Sequence, residues 1–139
     1  MAVRAKELRY AIELAPSGEL REENGVALDA PPEWSAEHLL LAALVRCSLK
    51  SLRYHARRVG IDVHSTSGRA RALVTRRETD ERYAIVESDA ELAVELDPDP
   101  EADALAELLT AAERDCFIGS SLTASPSYRW TVNGRAVAS

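Results

Sequence analysis

The chain has 139 residues, 46% of them hydrophobic and 29% charged, with a formal net charge of −6. That length and balance suit one soluble domain over residues 1–139. The net negative charge argues against a nucleic-acid partner, since phosphate binding depends on clustered Lys and Arg. Also excluded is a membrane-spanning helix, which needs ~18 or more apolar residues in a row. The longest apolar run, residues 39–45, is far shorter. Residues 1–7 have no apolar signal core behind their charges, so the expected location is the cytoplasm.

In chain order, residues 8–14 alternate well enough for a strand, and Pro16-Ser17-Gly18 reads as a turn. Asn24-Gly25 introduces a short second strand at residues 26–28, and Pro31-Pro32 ends this β portion. A long helix follows. Ser35 is a good N-cap, Glu37 suits the positive end of the helix dipole, and Gly60 is a natural C′ residue after helix formers that run to about Val59. Residues 39–45 are apolar around the whole circumference and are expected to be buried on every side, whereas Arg46, Lys50, Arg53, Arg57 and Arg58 carry the second half into solvent.

Two long strands are expected at residues 69–79 and 82–96, joined through Thr79-Asp80-Glu81. In the second, Ala90, Leu92, Val94 and Leu96 alternate with polar neighbours. A second helix opens with Asp99 as its cap and Pro100 in its first turn. Its apolar stripe is Ala102, Leu105, Leu108, Leu109 and Ala112, and it ends near Cys116. A last strand, residues 128–132, closes at the Asn133-Gly134 turn. This order of strands, helix, hairpin, helix and strand predicts an α+β domain.

Charge is unevenly spread. Residues 46–82 hold ten basic and four acidic side chains, and residues 87–115 hold eleven acidic and one basic. Such segments either form separate solvated faces or meet, within a protomer or across a dimer, and fix its register.

Two cysteines are too few for a disulfide framework. His38, His55 and His64 lack the spacing and ligand company of a zinc pattern, so neither a metal nor a bound cofactor is expected. Cysteine chemistry needs thiolate, and an ordinary thiol with a pKa of ~8.5 is mostly protonated at neutral pH. Cys47 has Arg46 beside it and Lys50 one turn on, and Cys116 follows Arg114 and Asp115. By residue chemistry alone, a redox pair and two inert buried thiols both remain open.

The segment from Trp34 through Glu37 and the apolar run to Cys47-Ser48 resembles the central helix of the OsmC/Ohr proteins, with the same ten-residue step from Glu to a reactive Cys. Residues 112–122, around Cys116, and residues 128–134 are similar to the second Cys motif and the closing strand of that family. The resemblance implies an OsmC-like fold: antiparallel sheets around a long central buried helix and a second helix, in an intertwined homodimer with its sites at the subunit interface. It also implies a thiol-dependent hydroperoxide reductase. Cys47 would attack the peroxide, Cys116 would resolve the sulfenic acid as a disulfide, and Glu37 would hold an arginine that orients the thiolate. An external dithiol, lipoylated or on a thioredoxin-like protein, would recycle the disulfide. The family's Gly-rich setting for that arginine is missing here, which leaves Arg9 and Arg21 as candidates. Phe117 stands where many peroxidase members have Pro. Both departures point to the broader OsmC-like branch.

Three other readings compete. An OsmC-like dimer could bind a small hydrophobic ligand without peroxide turnover; in the peroxidase reading Trp34 and Phe117 line an apolar peroxide pocket or simply pack as core. A thiol acyl transferase would need a histidine at the thiol, and His38 is nine residues away along the same helix. A purely structural dimerisation module would leave the spacing of Glu37 and Cys47 unexplained.

Overall fold

The structure, a computed structural model, describes residues 5–137 and falls into two compact units, Met1–Ala36 and Glu37–Ser139. The first unit is an antiparallel sheet of three short strands: β1 (Ile12–Leu14), β2 (Leu20–Glu22) and β3 (Ala27–Leu28). β1 is the paired end of the expected 8–14 strand, because its partner β2 is only three residues long. β2 itself was not foreseen; Leu20-Arg21-Glu22 is too short to show a period. The Asn24-Gly25 turn is tied by the Glu22 carboxylate, which accepts from the backbone N–H groups of Asn24 and Val26 at 2.8 and 2.9 Å.

The second unit carries the core. Its long helix α1 (Ala36–Arg58) runs into the unit from the boundary and stops at Gly60. There Ile61 N–H reaches Ala56 O at 2.9 Å and Gly60 N–H reaches Arg57 O at 3.2 Å, the paired bonds of a Schellman cap. Gly60 accepts the required φ of 75° without steric cost.

β4 (Asp62–Arg76) and β5 (Tyr83–Asp97) form a long antiparallel hairpin. β4 starts seven residues before the expected strand, because the polar run His64-Ser65-Thr66-Ser67 hides its alternation. The two oppositely charged segments meet here within the chain. Arg69 pairs with Glu91 at 3.6 Å and Arg71 with Asp89 at 3.3 Å, each pair directly opposite in the register.

The second helix, α2 (Ala102–Arg114), starts later than expected. Glu101 occupies the N-cap, without a side-chain capping bond. Asp99 is engaged elsewhere: its carboxylate accepts from Asn133 Nδ2 and Arg135 at 2.8 Å each. A short helix α3 (Phe117–Ser121) follows, too brief to show a period in sequence.

The chain then enters β6 (Ser127–Val132), which pairs parallel to β5, and turns through Asn133-Gly134 into β7 (Arg135–Ala136). The sheet order is β4-β5-β6-β7. It is therefore mixed, not purely antiparallel, because α2 and α3 form the crossover that returns β6 beside β5 in the same direction. Asn133 stitches the turn to the end of β5. Its Oδ1 accepts from Leu96 N–H at 2.8 Å, and its own N–H donates to Val94 O at 3.0 Å.

The core lies between α1, the β5–β6 face and α2. It comprises Leu44, Leu52 and Ala56, then Ala90, Leu92, Val94 and Leu96, then Leu108, Leu109 and Ala112, with Cys116, Trp130 and Val132. The alternation expected for β5 holds. The even burial expected of residues 39–45 does not: within the chain only Leu44 is fully covered and Ala42 is exposed. The charged second half instead supplies Ser48, Ser51, Leu52 and Ala56 to the interior. Their spacing forms one stripe, and the arginines between them point away from it. Among the described residues, no helix is long and apolar enough to cross a membrane.

Candidate active site

Cys116 follows the last turn of α2 and caps α3, where its Sγ accepts from Gly119 N–H at 3.4 Å. It is fully buried. Cys47 comes from the middle of α1 and is half-buried, and both thiols are free. α1 presents Ser48 from the same turn, and its hydroxyl lies 3.4 Å from Cys116 Sγ while donating to Leu44 O at 2.8 Å. Cys47 itself lies against Cys116 and the backbone N–H groups of Ile118 and Phe117. The tertiary fold thus brings together two cysteines that lie far apart in sequence.

Burial raises the Cys47 thiol above its ordinary value, and the neighbouring Cys116 adds to this. The amides of Ile118 and Phe117 act in the opposite direction. Arg46 and Lys50, the cations expected to activate Cys47, are exposed and take no part. Arg46, one position before Cys47, leaves the helix on another side, whereas Lys50, one turn on, shares the side of Cys47 but extends into solvent.

Tyr128, from β6, completes the cluster. Its ring stacks on Trp130 at 6.5 Å between centroids, and Trp130 Nε1 donates to Glu113 at 3.2 Å. Desolvation pushes the Tyr128 hydroxyl up to about 12. Gly119 leaves the space beside it open: a Cβ there would stand 2.6 Å from the Tyr128 oxygen and 3.5 Å from Cys116 Sγ.

Glu37 stands in the first turn of α1 and is exposed. Ten residues of helix separate it from Cys47, about 15 Å of rise, so the two do not meet within one chain. Arg9 and Arg21 bond to their own neighbours, Glu7 at 2.9 Å and Glu19 at 2.6 Å. Trp34 and Phe117 are both largely exposed. His55, unplaceable from sequence, bonds Asp115 at 2.8 Å rather than Cys47. Together Arg114 and His55 hold the Asp115 carboxyl down at about 2. Among the described residues, no group of three or more His, Cys, Asp and Glu side chains is arranged to hold a metal ion.

Comparison with known proteins agrees with this architecture. The family model described as OsmC-like protein matches residues 29–131. The chain belongs to the OsmC-like protein family. A solved OsmC-like protein of unknown function from Vibrio cholerae superposes with a TM-score of 0.72 at 14% identity, covering 89% of this chain and 99% of that one. An OsmC-like protein from Mycoplasma pneumoniae gives 0.67 at 15% identity, with 93% and 99% covered. The organic hydroperoxide resistance protein OhrB of Bacillus subtilis gives 0.53 at 16% identity, with 90% and 96% covered. At these identities the likeness establishes the shared fold. A search of curated proteins finds no match.

For this OsmC-like chain, sequence reasoning singled out both cysteines but missed Ser48, Gly119 and Tyr128. Ser48 carried a usable signal, since it falls on the stripe of Leu44, Leu52 and Ala56, and a serine buried there must find a partner. Tyr128 carried none, because only the parallel return of β6 brings it to the cysteines.

Proposed function

We propose that this protein is a cysteine-dependent peroxidase that reduces organic hydroperoxides, with hydrogen peroxide as a smaller substrate of the same chemistry. The observation that carries this reading is the meeting of Cys47 and Cys116, one thiol partly accessible and the other buried behind it. The Cys47 thiolate attacks one peroxide oxygen; the S–O bond forms, the O–O bond breaks, and the alkoxide leaves and takes a proton as alcohol. Cys47 is then a sulfenic acid. The Cys116 thiolate attacks the Cys47 sulfur, the S–S bond forms, and hydroxide leaves and is protonated to water. An external dithiol, lipoylated or carried on a thioredoxin-like protein, supplies the two electrons that restore both thiols. The backbone N–H groups of Ile118 and Phe117 favour the Cys47 thiolate as it forms.

The unit acts in the cytoplasm as a homodimer, whose second copy covers the partly exposed Leu39, Leu40 and Leu41. Glu37 works at the subunit interface and holds an arginine near the thiolate. A second reading, a dimer that binds a small hydrophobic ligand without turnover, is favoured by the raised Cys47 thiol.

Thiol counting and intact mass after one equivalent of organic hydroperoxide separate the two. The peroxidase loses both thiols and the mass of two hydrogens per chain. Cys47→Ser abolishes the loss, and Cys116→Ser stops at oxidised Cys47. Survival of both thiols in excess peroxide rejects peroxidase activity in favour of ligand binding.

A further inference from the structure

Cys116 must become a thiolate in a fully buried position, and its two bonded neighbours act in opposite directions. The Ser48 hydroxyl proton is committed to Leu44 O at 2.8 Å, so Ser48 meets Cys116 Sγ as an acceptor and favours the protonated thiol. Gly119 N–H donates to the same sulfur and favours the thiolate. A single amide is scant solvation for a buried anion.

The Tyr128 hydroxyl is buried and makes no hydrogen bond of ordinary geometry, an unusual state for a donor. It faces Ser48 and Cys116, and the gap left by Gly119 borders both its oxygen and the Cys116 sulfur. The stacked Trp130, held in turn by Glu113, supports the ring.

We propose that Tyr128 is the donor that turns onto Cys116 when that thiol loses its proton, making it competent to attack the sulfenic acid on Cys47. This rests on the peroxidase reading for its place in the reaction, but not for the effect on Cys116 itself. Desolvation, with Glu113 and Cys116 nearby, keeps the Tyr128 proton in place through the range in which a thiol titrates. The other titratable groups around the sulfur are Cys47 on α1 and the Asp115–His55 pair next in sequence. A thiolate gives the orphaned hydroxyl its acceptor, and the hydroxyl gives the thiolate its second donor. The electron balance of resolution is unchanged, since Tyr128 contributes a hydrogen bond and keeps its proton.

The test uses the full chain carrying Cys47→Ser, so that Cys116 is the only thiol. Its ionisation is followed by the ultraviolet absorbance of the thiolate and by the rate of alkylation across pH. Tyr128→Phe, which keeps the ring and its stacking, is expected to slow alkylation at neutral pH about tenfold by raising the Cys116 pKa. Ser48→Ala removes the acceptor that favours the thiol and is expected to shift the titration the opposite way. Loosened packing would expose Cys116 and speed alkylation in both variants. That result, or a titration unmoved by Tyr128→Phe, overturns the proposal.

With both cysteines present, Tyr128→Phe should slow disulfide formation from the Cys47 sulfenic acid about tenfold. If the native chain never forms a sulfenic acid, the peroxidase reading fails, while the Cys116 titration still decides the role of Tyr128.

Discussion

Residues 39–45 and residues 46–58 of α1 differ in what they give to the interior. The first stretch is almost wholly aliphatic, yet within the chain only Leu44 is sealed, while Leu39, Leu40 and Leu41 stay partly open. The second stretch holds five Lys and Arg residues and still buries Ser48, Ser51, Leu52 and Ala56. Average hydrophobicity therefore says little about which half is anchored. Spacing decides it, because a stripe one helical face wide suffices to dock a helix on β5 and α2.

The sharpest way to break this contrast is Leu52→Ala. Leu52 is fully buried in the charged half, and its truncation should cost about 2–5 kcal/mol in chemical denaturation. A loss under ~1 kcal/mol would show that this half is not the anchor.

A weaker effect is expected from Asp115→Asn, which loosens the tie between the end of α2 and His55 on α1. The Asp115 carboxyl, held down at about 2, stabilises the fold above its ordinary pKa of ~3.9. That contribution is lost as pH falls from about 4 toward 2. The side chain is 41% exposed, so the effect should stay under ~1 kcal/mol. The variant should lose that contribution at neutral pH, flatten the acid-side slope of stability over that window and converge with the native chain toward pH 2.

The smallest effect on the folded chain is expected at Ala42, exposed in the aliphatic half. Ala42→Gln should alter protomer stability by no more than about 0.5 kcal/mol. In the homodimer proposed above it should weaken self-association, read by sedimentation. An unchanged dimer would move the interface off this face.

How much of this was legible beforehand follows from the range of the interactions. The end of α1 at Gly60 and the alternation of β5 are local, and the sequence marks both. The start of α2 was misplaced because Asp99, a good cap by residue type, spends its carboxylate on Asn133 and Arg135 more than thirty positions later. Cys47 and Cys116 stood out as the chain's only thiols. Their setting did not, since Ser48, Gly119 and Tyr128 converge only through tertiary structure. Arg46 looked like an activating charge because a sequence neighbour was taken for a spatial one, and Lys50 because its place one turn on does not show that its side chain extends into solvent.

The parallel pairing of β6 with β5 also sets an order of assembly. Cys47 leaves the ribosome well before the crossover that carries Cys116, and Tyr128 comes later still. The α1 helix and the β4–β5 hairpin are built from contacts local in sequence and can form early, whereas the parallel strand must await the whole α2–α3 connection. A nascent chain therefore passes through a stage in which Cys47 exists without the thiol that faces it. Under the peroxidase reading proposed above, oxidation at that stage would find no internal resolving partner, and the newly synthesised protein would be more vulnerable to peroxide than the finished one.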